Sequence, residues 1–321
     1  MTSILVTGGL GFIGAAYVEH VHDAHPAARI LVVDAVNYAA DALRLSARVR
    51  ASPRVHVVEC NLRNWSRLLA LLRDHGVEDI VHFAAQTHVS RSFDDALGFV
   101  EDNIVGTQSL LECARLHGGL RRFVHISTDE VYGDSPESAD AVPFSEDAAL
   151  NPTNPYAASK AAAEIMARAY ARCFALPLVV TRGNNVYGPR QHAEKLVPAT
   201  VARLRAGLRA RVEGDGLQRR NFVYVTDAVA AVEAVRLRGA LGEVYNVAGG
   251  CEHTVLEVMR ELAALLCPAR ALAELVELAP DRLYNDRRYH VDGGKLRELG
   301  WAPSVPLGEG LARIVALDAR S

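Results

Sequence analysis

Through its first 181 residues the chain alternates short, continuous apolar runs with segments of helical period. Apolar runs fall at 4–7, 30–33, 55–58, 80–84, 123–127 and 178–181, and helical patterns cover residues from about 12, 65–74, 94–116 and 156–174. A run that is apolar at every position buries both faces of its strand, and such strands belong to parallel sheets covered by helices on each side. The alternation therefore predicts an α/β fold built on a doubly wound parallel sheet. It weakens after about 184, where helices near 194–208, 226–237, 254–266 and 307–317 mix with short strands. With 321 residues, 50% of them hydrophobic and 23% charged, the chain has room for one large and one smaller region.

The turn Thr7-Gly8-Gly9-Leu10-Gly11-Phe12-Ile13-Gly14 joins the first apolar run to the first helix. Gly8, Gly11 and Gly14 permit a tight turn, a close backbone approach to a diphosphate and close helix packing. The spacing is G-x-x-G-x-x-G rather than G-x-G-x-x-G. Asp34 closes the second strand, where a carboxylate binds ribose hydroxyls and repels a 2′-phosphate. Strand, turn, helix and acid in that order predict a Rossmann-type site that prefers NAD to NADP. Residues 1–183 accordingly read as the NAD-binding domain, and 184–321 as a smaller mixed α/β substrate-binding region interleaved with it.

Two further runs carry chemistry: Ile126-Ser127-Thr128-Asp129-Glu130-Val131-Tyr132-Gly133 and Tyr156-Ala157-Ala158-Ser159-Lys160. On a helix Tyr156 and Lys160 stand at i and i+4, so the ammonium is expected beside the phenol, pulling its pKa down from about 10. A phenolate held this way takes a proton from a sugar hydroxyl while hydride leaves the same carbon. Asp129 and Glu130 are not needed for that oxidation and point to an elimination. Along a strand the two acids would face opposite sides. Both serve one site only if the strand has ended, as Gly133 and the turn-rich stretch to Pro155 suggest.

These runs, with His82-Phe83-Ala84-Ala85-Gln86-Thr87-His88-Val89, Asn184-Asn185-Val186-Tyr187-Gly188-Pro189, Glu194-Lys195-Leu196-Val197-Pro198 and Asn285-Asp286-Arg287-Arg288-Tyr289, resemble the extended short-chain dehydrogenase/reductases. Within that superfamily the chain is similar to the nucleotide-sugar 4,6-dehydratases acting on dTDP-glucose or UDP-glucose, almost end to end. The resemblance implies a hydro-lyase in which Thr128 bonds the sugar O4, Tyr156 is the base, Lys160 holds the phenolate and the nicotinamide ribose, Asp129 protonates the leaving 6-hydroxyl, and Glu130 removes H5. Hydride returns to C6, so NAD is a resident catalyst and the product a 4-keto-6-deoxy sugar. The same resemblance implies NAD contacts at Phe12, Ile13, Asn61, Leu62, Ala84, Ala85, Thr87 and Asn103. It implies substrate contacts at His88, Asn185, Lys195, Leu196, Arg220, Asn246, Arg282, Asn285 and Arg288, and a homodimer. Arg220 and Arg288 suit the diphosphate, because a guanidinium makes bidentate charged hydrogen bonds. Asn61, Ser90, Glu213 and Leu283 depart from the family pattern in ways that bear on base specificity and cofactor affinity. A UDP-sugar 4-epimerase, a UDP-glucuronate decarboxylase or a non-catalytic NAD-binding scaffold are the alternatives, and the Asp129/Glu130 pair argues against the first two.

The net charge of −3 and pI near 6.5 give no reason to expect nucleic acid or an anionic membrane as partner, and Arg121-Arg122 and Arg219-Arg220 are too short for a nucleic-acid stripe. Five scattered cysteines without a C-x-x-C pair argue against a disulfide framework or a cysteine zinc site. His20, His22, His25 and Asp23 have no metal-ligand spacing and read as a polar helix end, so no metal is expected. No apolar stretch reaches about 18 residues, and a strand-like run begins at once, so the expected location is cytoplasmic.

Overall fold

The computed structural model describes residues 2–138 and 140–318. Its centre is a seven-stranded sheet in the order β10-β6-β5-β4-β1-β2-β3. The strands are β1 (Ser3–Thr7), β2 (Arg29–Asp34), β3 (Val55–Glu59), β4 (Asp79–His82), β5 (Arg122–Thr128), β6 (Leu178–Gly183) and β10 (Val244–Val247). Every neighbouring pair in this sheet runs parallel, as the continuous apolar runs predict. Alternate residues serve opposite faces. Ile4, Val6, Val32, Val81 and Val124 join one core with helices Phe12–Ala24 and Val225–Arg238. Leu5, Leu31, Val33, Ile80 and Phe123 join the other with helices Trp65–Asp74, Gly106–His117 and Pro155–Phe174.

The chain winds outward from β1 through β2 to β3, then returns to place β4 on the other side of β1. That reversal opens a crevice at the carboxyl ends of the strands, and in open α/β sheets ligands bind there. Strand β10 was not singled out from sequence. It pairs with β6, Val247 opposite Gly183, so the segment beyond 183 completes the main sheet. The rest of that segment adds a three-stranded sheet of β7 (Asn185–Tyr187), β9 (Arg219–Tyr224) and β11 (Glu252–Thr254), and a pair of β8 (Ala210–Glu213) with β12 (Val276–Ala279).

The helix expected over 94–116 is interrupted. Helix Val89–Asp94 ends at Asp95, whose carboxylate then caps Ala96–Phe99 by accepting from Gly98 N, and a π-helical turn over 100–105 precedes Gly106–His117. Helix Pro155–Phe174 starts where sequence places it, because Asn154 caps it by accepting from Ala157 N and Pro155 occupies the first turn.

Candidate active site

A cleft of about 330 Å³ lies over the carboxyl ends of β1, β2, β4 and β5. Its end over β1 and β2 is shaped by glycine. Gly8 has φ +67°, and a Cβ on Gly14 would lie 2.2 Å from Gly8 O, so the turn and helix Phe12–Ala24 pack backbone to backbone. Gly11 caps that helix without a side-chain bond, leaving its first N–H groups open to an anion. Asp34 braces the turn: Oδ2 accepts from Leu10 N at 3.0 Å and Oδ1 from Val36 N at 2.9 Å. Gly8, Gly11, Phe12, Ile13, Gly14, Asp34, Asn61, Leu62, Ala84, Ala85 and Thr87 all line the cleft, as does Ser127, whose buried hydroxyl has no partner among the described residues. A cradle a Cβ would fill, an uncapped helix start and a carboxylate at the end of β2 fit a dinucleotide. Asn103, also expected at the cofactor, does not line the cleft. It is buried behind the wall, its amide bonded to Gln86 N at 2.7 Å, Gln86 O at 3.0 Å and Ser159 Oγ at 2.8 Å, so it fastens the segment after β4 to helix Pro155–Phe174.

The acid pair enters the same cleft because β5 stops at Thr128 and the chain turns into a 3₁₀ turn over Asp129–Tyr132. Thr128 Oγ1 caps that turn, accepting from Glu130 N at 3.3 Å. Gly133 then leaves at φ +78°, where a Cβ would lie 2.1 Å from Asn151 O. Asp129 is 2% exposed and receives hydrogen bonds from Asn184 Nδ2 at 2.6 Å and Thr128 Oγ1 at 3.1 Å. Burial, with the Glu130 charge beside it, pushes the Asp129 carboxyl up to about 7. Burial raises Glu130 as well, opposed by the Arg220 charge and by a bond from Asn154 Nδ2 at 3.4 Å. Tyr289 OH also donates to Glu130 Oε2 at 3.4 Å.

Tyr156 and Lys160 face the cleft from helix Pro155–Phe174, but their relationship differs from the expectation. Lys160 Nζ donates to Ile126 O at 2.6 Å, and burial lowers its pKa to about 8. The Tyr156 phenol is shifted up, not down: burial and the Glu130 charge outweigh a hydrogen bond with Thr128. An i,i+4 spacing brings two side chains to one helix face, yet the strand carbonyl competes for the ammonium.

On the substrate side, Asn185 and Lys195 line the cleft, Lys195 Nζ donating to Thr87 O at 2.8 Å. Burial lowers the Lys195 pKa. His88 caps helix Val89–Asp94 through Nδ1, 3.1 Å from Arg91 N, and lies 3.7 Å from Glu194. Leu196 opens helix Leu196–Arg205 and packs on the core beneath it. Arg220 stacks 4.3 Å over the Tyr289 ring and donates to Asn285 Oδ1 at 3.2 Å and Asp286 O at 2.7 Å. Asn285 also donates to Asp281 Oδ1, and Arg282 pairs with the departing residue Glu213 at 2.8 Å.

Two of the residues expected to contact substrate are held by protein partners away from the cleft. Asn246 is fully buried on β10, accepting from Tyr132 OH and donating both amide hydrogens, to Phe144 O and Asp292 O. Arg288 spends its fork on Glu252, at 2.7 and 2.6 Å, and Nη1 on the carbonyls of Pro136 and Ser138. It locks the stretch after Gly133 rather than meeting the cleft. The histidines set aside from sequence contact carboxylates within the protein: His22 lies against Asp23, which also pairs with Arg48, and His25 against Glu233. Sequence reasoning missed Asn184, Asn154 and Tyr289 as partners of the acids. Asn184 and Tyr289 fall inside quoted runs, but only the fold shows that they meet residues 129 and 130.

The profile of the family described as GDP-mannose 4,6 dehydratase matches residues 5–314. The chain is 42% identical over 320 residues, 98% of its length and 93% of the other's, to a dTDP-glucose 4,6-dehydratase of Streptomyces griseus. It is 38% identical over 97% of its length to a trifunctional UDP-glucose 4,6-dehydratase/UDP-4-keto-6-deoxy-D-glucose 3,5-epimerase/UDP-4-keto-L-rhamnose-reductase of Arabidopsis thaliana, of which it spans about half, 46%. A crystal structure of a dTDP-glucose 4,6-dehydratase from Streptomyces venezuelae, with NAD and dTDP bound, superposes with a TM-score of 0.91 at 41% identity, covering 99% of this chain and 97% of that one. With its Rossmann-type sheet, glycine turn and acid pair in one cleft, the chain belongs to the GDP-mannose 4,6 dehydratase family of the extended short-chain dehydrogenase/reductases.

Proposed function

We propose that the protein is an NAD-dependent nucleotide-sugar 4,6-dehydratase that converts dTDP-glucose or UDP-glucose to its 4-keto-6-deoxy sugar and water. The observation that carries this reading is the pairing of Asp129, its proton held to about 7, with Glu130 in the same cleft as Tyr156 and Lys160. Bound NAD supplies the acceptor for hydride from C4, the hydride returned to C6, and a cationic nicotinamide ring. Thr128 and Tyr156 bind the 4-hydroxyl, and Tyr156 takes its proton. Tyr156 does so from its phenolate form, which the nearly buried Lys160 ammonium and the positive charge brought by the bound cofactor favour, and it ends the step as a neutral phenol. The ketone at C4 acidifies H5, which Glu130 removes. Asp129 protonates the departing 6-hydroxyl, and Glu130 returns its proton to C5. Arg220, balanced over Tyr289 and near Glu130, and Lys195 supply positive charge for the diphosphate.

Residues 1–183 are read as the NAD-binding part and 184–321 as the part that selects the sugar nucleotide. A homodimer belongs to the same proposal: Leu97, Val100 and Val105 from the 96–105 stretch and Ile165 and Phe174 from the helix that packs against it are exposed apolar side chains. A cytoplasmic location is part of the same proposal. Among the described residues no helix is long and apolar enough to cross a membrane.

The test is mass spectrometry of products from dTDP-, UDP-, GDP- and CDP-glucose. Loss of one water with C4 oxidised supports the reading. A product that keeps its 6-hydroxyl and is only inverted at C4 rejects it in favour of an epimerase, and no turnover of any of them favours a scaffold.

A further inference from the structure

Arg44 stands in the wall between two clefts. It lines the one that holds the acid pair, and it lines another behind helix Phe12–Ala24 with Glu19, Arg190 and Val229. The side chain is nearly buried, and its hydrogen bonds go to backbone. Nε donates to Arg190 O at 3.0 Å, and Nη1 to Leu10 O at 3.0 Å and Ala39 O at 2.5 Å. Arg190 answers with a bond from its own Nη1 to Arg44 O at 2.6 Å, from a residue held at φ +66°. The three carbonyls belong to the glycine turn, the loop after β2, and the stretch after β7. Arg44 pins all three together.

Carbonyls satisfy N–H groups without cancelling a charge. Among the described residues no carboxylate lies within ion-pair distance of Arg44, and burial weakens its hold on the proton, opposed at longer range by Asp41 and Asp34. A buried cation without a counter-ion is costly, and a ligand anion beside it removes that cost. The geometry says where the anion belongs. Arg44 Nη1 bonds Leu10 inside the turn whose following helix start has no side-chain cap and faces the cleft.

We infer that Arg44 supplies the counter-charge for the diphosphate of the bound dinucleotide while it bolts the glycine turn to the loops on either side. The inference rests on the reading of this cleft as the NAD site. Helix N–H groups alone bind a diphosphate with partial charges, and Arg44 adds a full one from a low-dielectric wall. Affinity for the phosphate-bearing half of the cofactor then depends on this residue, and affinity for the nucleoside does not.

The experiment is displacement of labelled NAD from the holoenzyme by ADP-ribose and by adenosine, in the parent, Arg44→Gln and Arg44→Lys. Glutamine keeps N–H donors for the carbonyls and removes the charge, whereas lysine keeps the charge and loses the fork. The ratio of the two competitor constants does not depend on how tightly each variant holds NAD. Expected is a preference for ADP-ribose over adenosine that falls roughly tenfold or more in Arg44→Gln and survives in Arg44→Lys, since charge-assisted contacts are worth about that much. Thermal melts of all three proteins report the bolting role separately. An unchanged preference in Arg44→Gln, or an equal loss in both variants, overturns the inference and leaves Arg44 a purely structural residue. Failure of ADP-ribose to displace NAD from the parent overturns the reading of the cleft itself.

Discussion

Asn184 donates from its amide to Asp129 Oδ2 at 2.6 Å while its own oxygen accepts from Gly249 N at 2.9 Å. The residue after β6 thus ties the acid at the end of β5 to the loop after β10, at the point where those three strands end. A hydrogen bond to the ionised form lowers a carboxyl pKa, so Asn184 works against the burial and the Glu130 charge that push Asp129 up. The outcome of that contest sets the pH range over which Asp129 carries a proton to give.

The first prediction follows from the signs. Asp129 works protonated, and with its pKa raised to about 7 the working form is lost as pH rises through that value. Glu130 works ionised, and because burial raises it, the working form is lost as pH falls toward its raised pKa. The kcat profile should be bell-shaped, its limbs belonging to the coupled pair. Asn184→Leu removes the bond to ionised Asp129, so the alkaline limb should move to higher pH. An alkaline limb that stays in place would show that Asp129 is not the acid it reports.

Glu130→Gln keeps size and hydrogen bonding but cannot accept H5. Oxidation at C4 should persist while elimination stops, leaving an enzyme-bound 4-keto, 6-hydroxy sugar in quenched samples. In the parent, turnover in deuterium oxide should place deuterium at C5. Full conversion to the 6-deoxy product by the variant would remove Glu130 from this role.

Tyr156→Phe deletes the group that takes the O4 proton. Loss of a general base typically costs about 10²- to 10⁴-fold, here expected in kcat with the fold intact by circular dichroism. Turnover within about twofold of the parent would assign that proton elsewhere.

Arg182 and Glu164 form a fully buried pair at 2.5 Å between β6 and helix Pro155–Phe174, and Arg182 Nη1 also holds Tyr132 OH at 2.6 Å beside the acid turn. Arg182→Met strands a buried carboxylate and should cost about 3–5 kcal/mol in urea unfolding. Adding Glu164→Leu should recover much of that. If the double variant is no more stable than the single one, the cost lies in the lost Tyr132 and Glu146 contacts instead.

What the sequence determined by itself was whatever rests on local pattern. Continuous apolar runs mark the strands of a helix-covered parallel sheet, and six of the seven are readable that way, although β3, at the sheet edge, leaves His56, Val57 and Glu59 exposed. Asn154 and Pro155 mark a helix start, and glycines 8, 11 and 14 with Asp34 mark the dinucleotide end, because each signal sits within one or two elements. The tertiary structure decided what depends on long-range competition. β10 is a four-residue strand that becomes recognisable only beside β6. Asp95 and the π turn break a helix whose apolar period runs on. Lys160 chose the Ile126 carbonyl over the phenol four residues away, and Arg288 and Asn246 were claimed by Glu252 and by Tyr132, Phe144 and Asp292. In each case the sequence shows what a side chain is able to bind, and only packing shows which partner arrives first, since a buried polar group must be satisfied by whatever the fold places beside it.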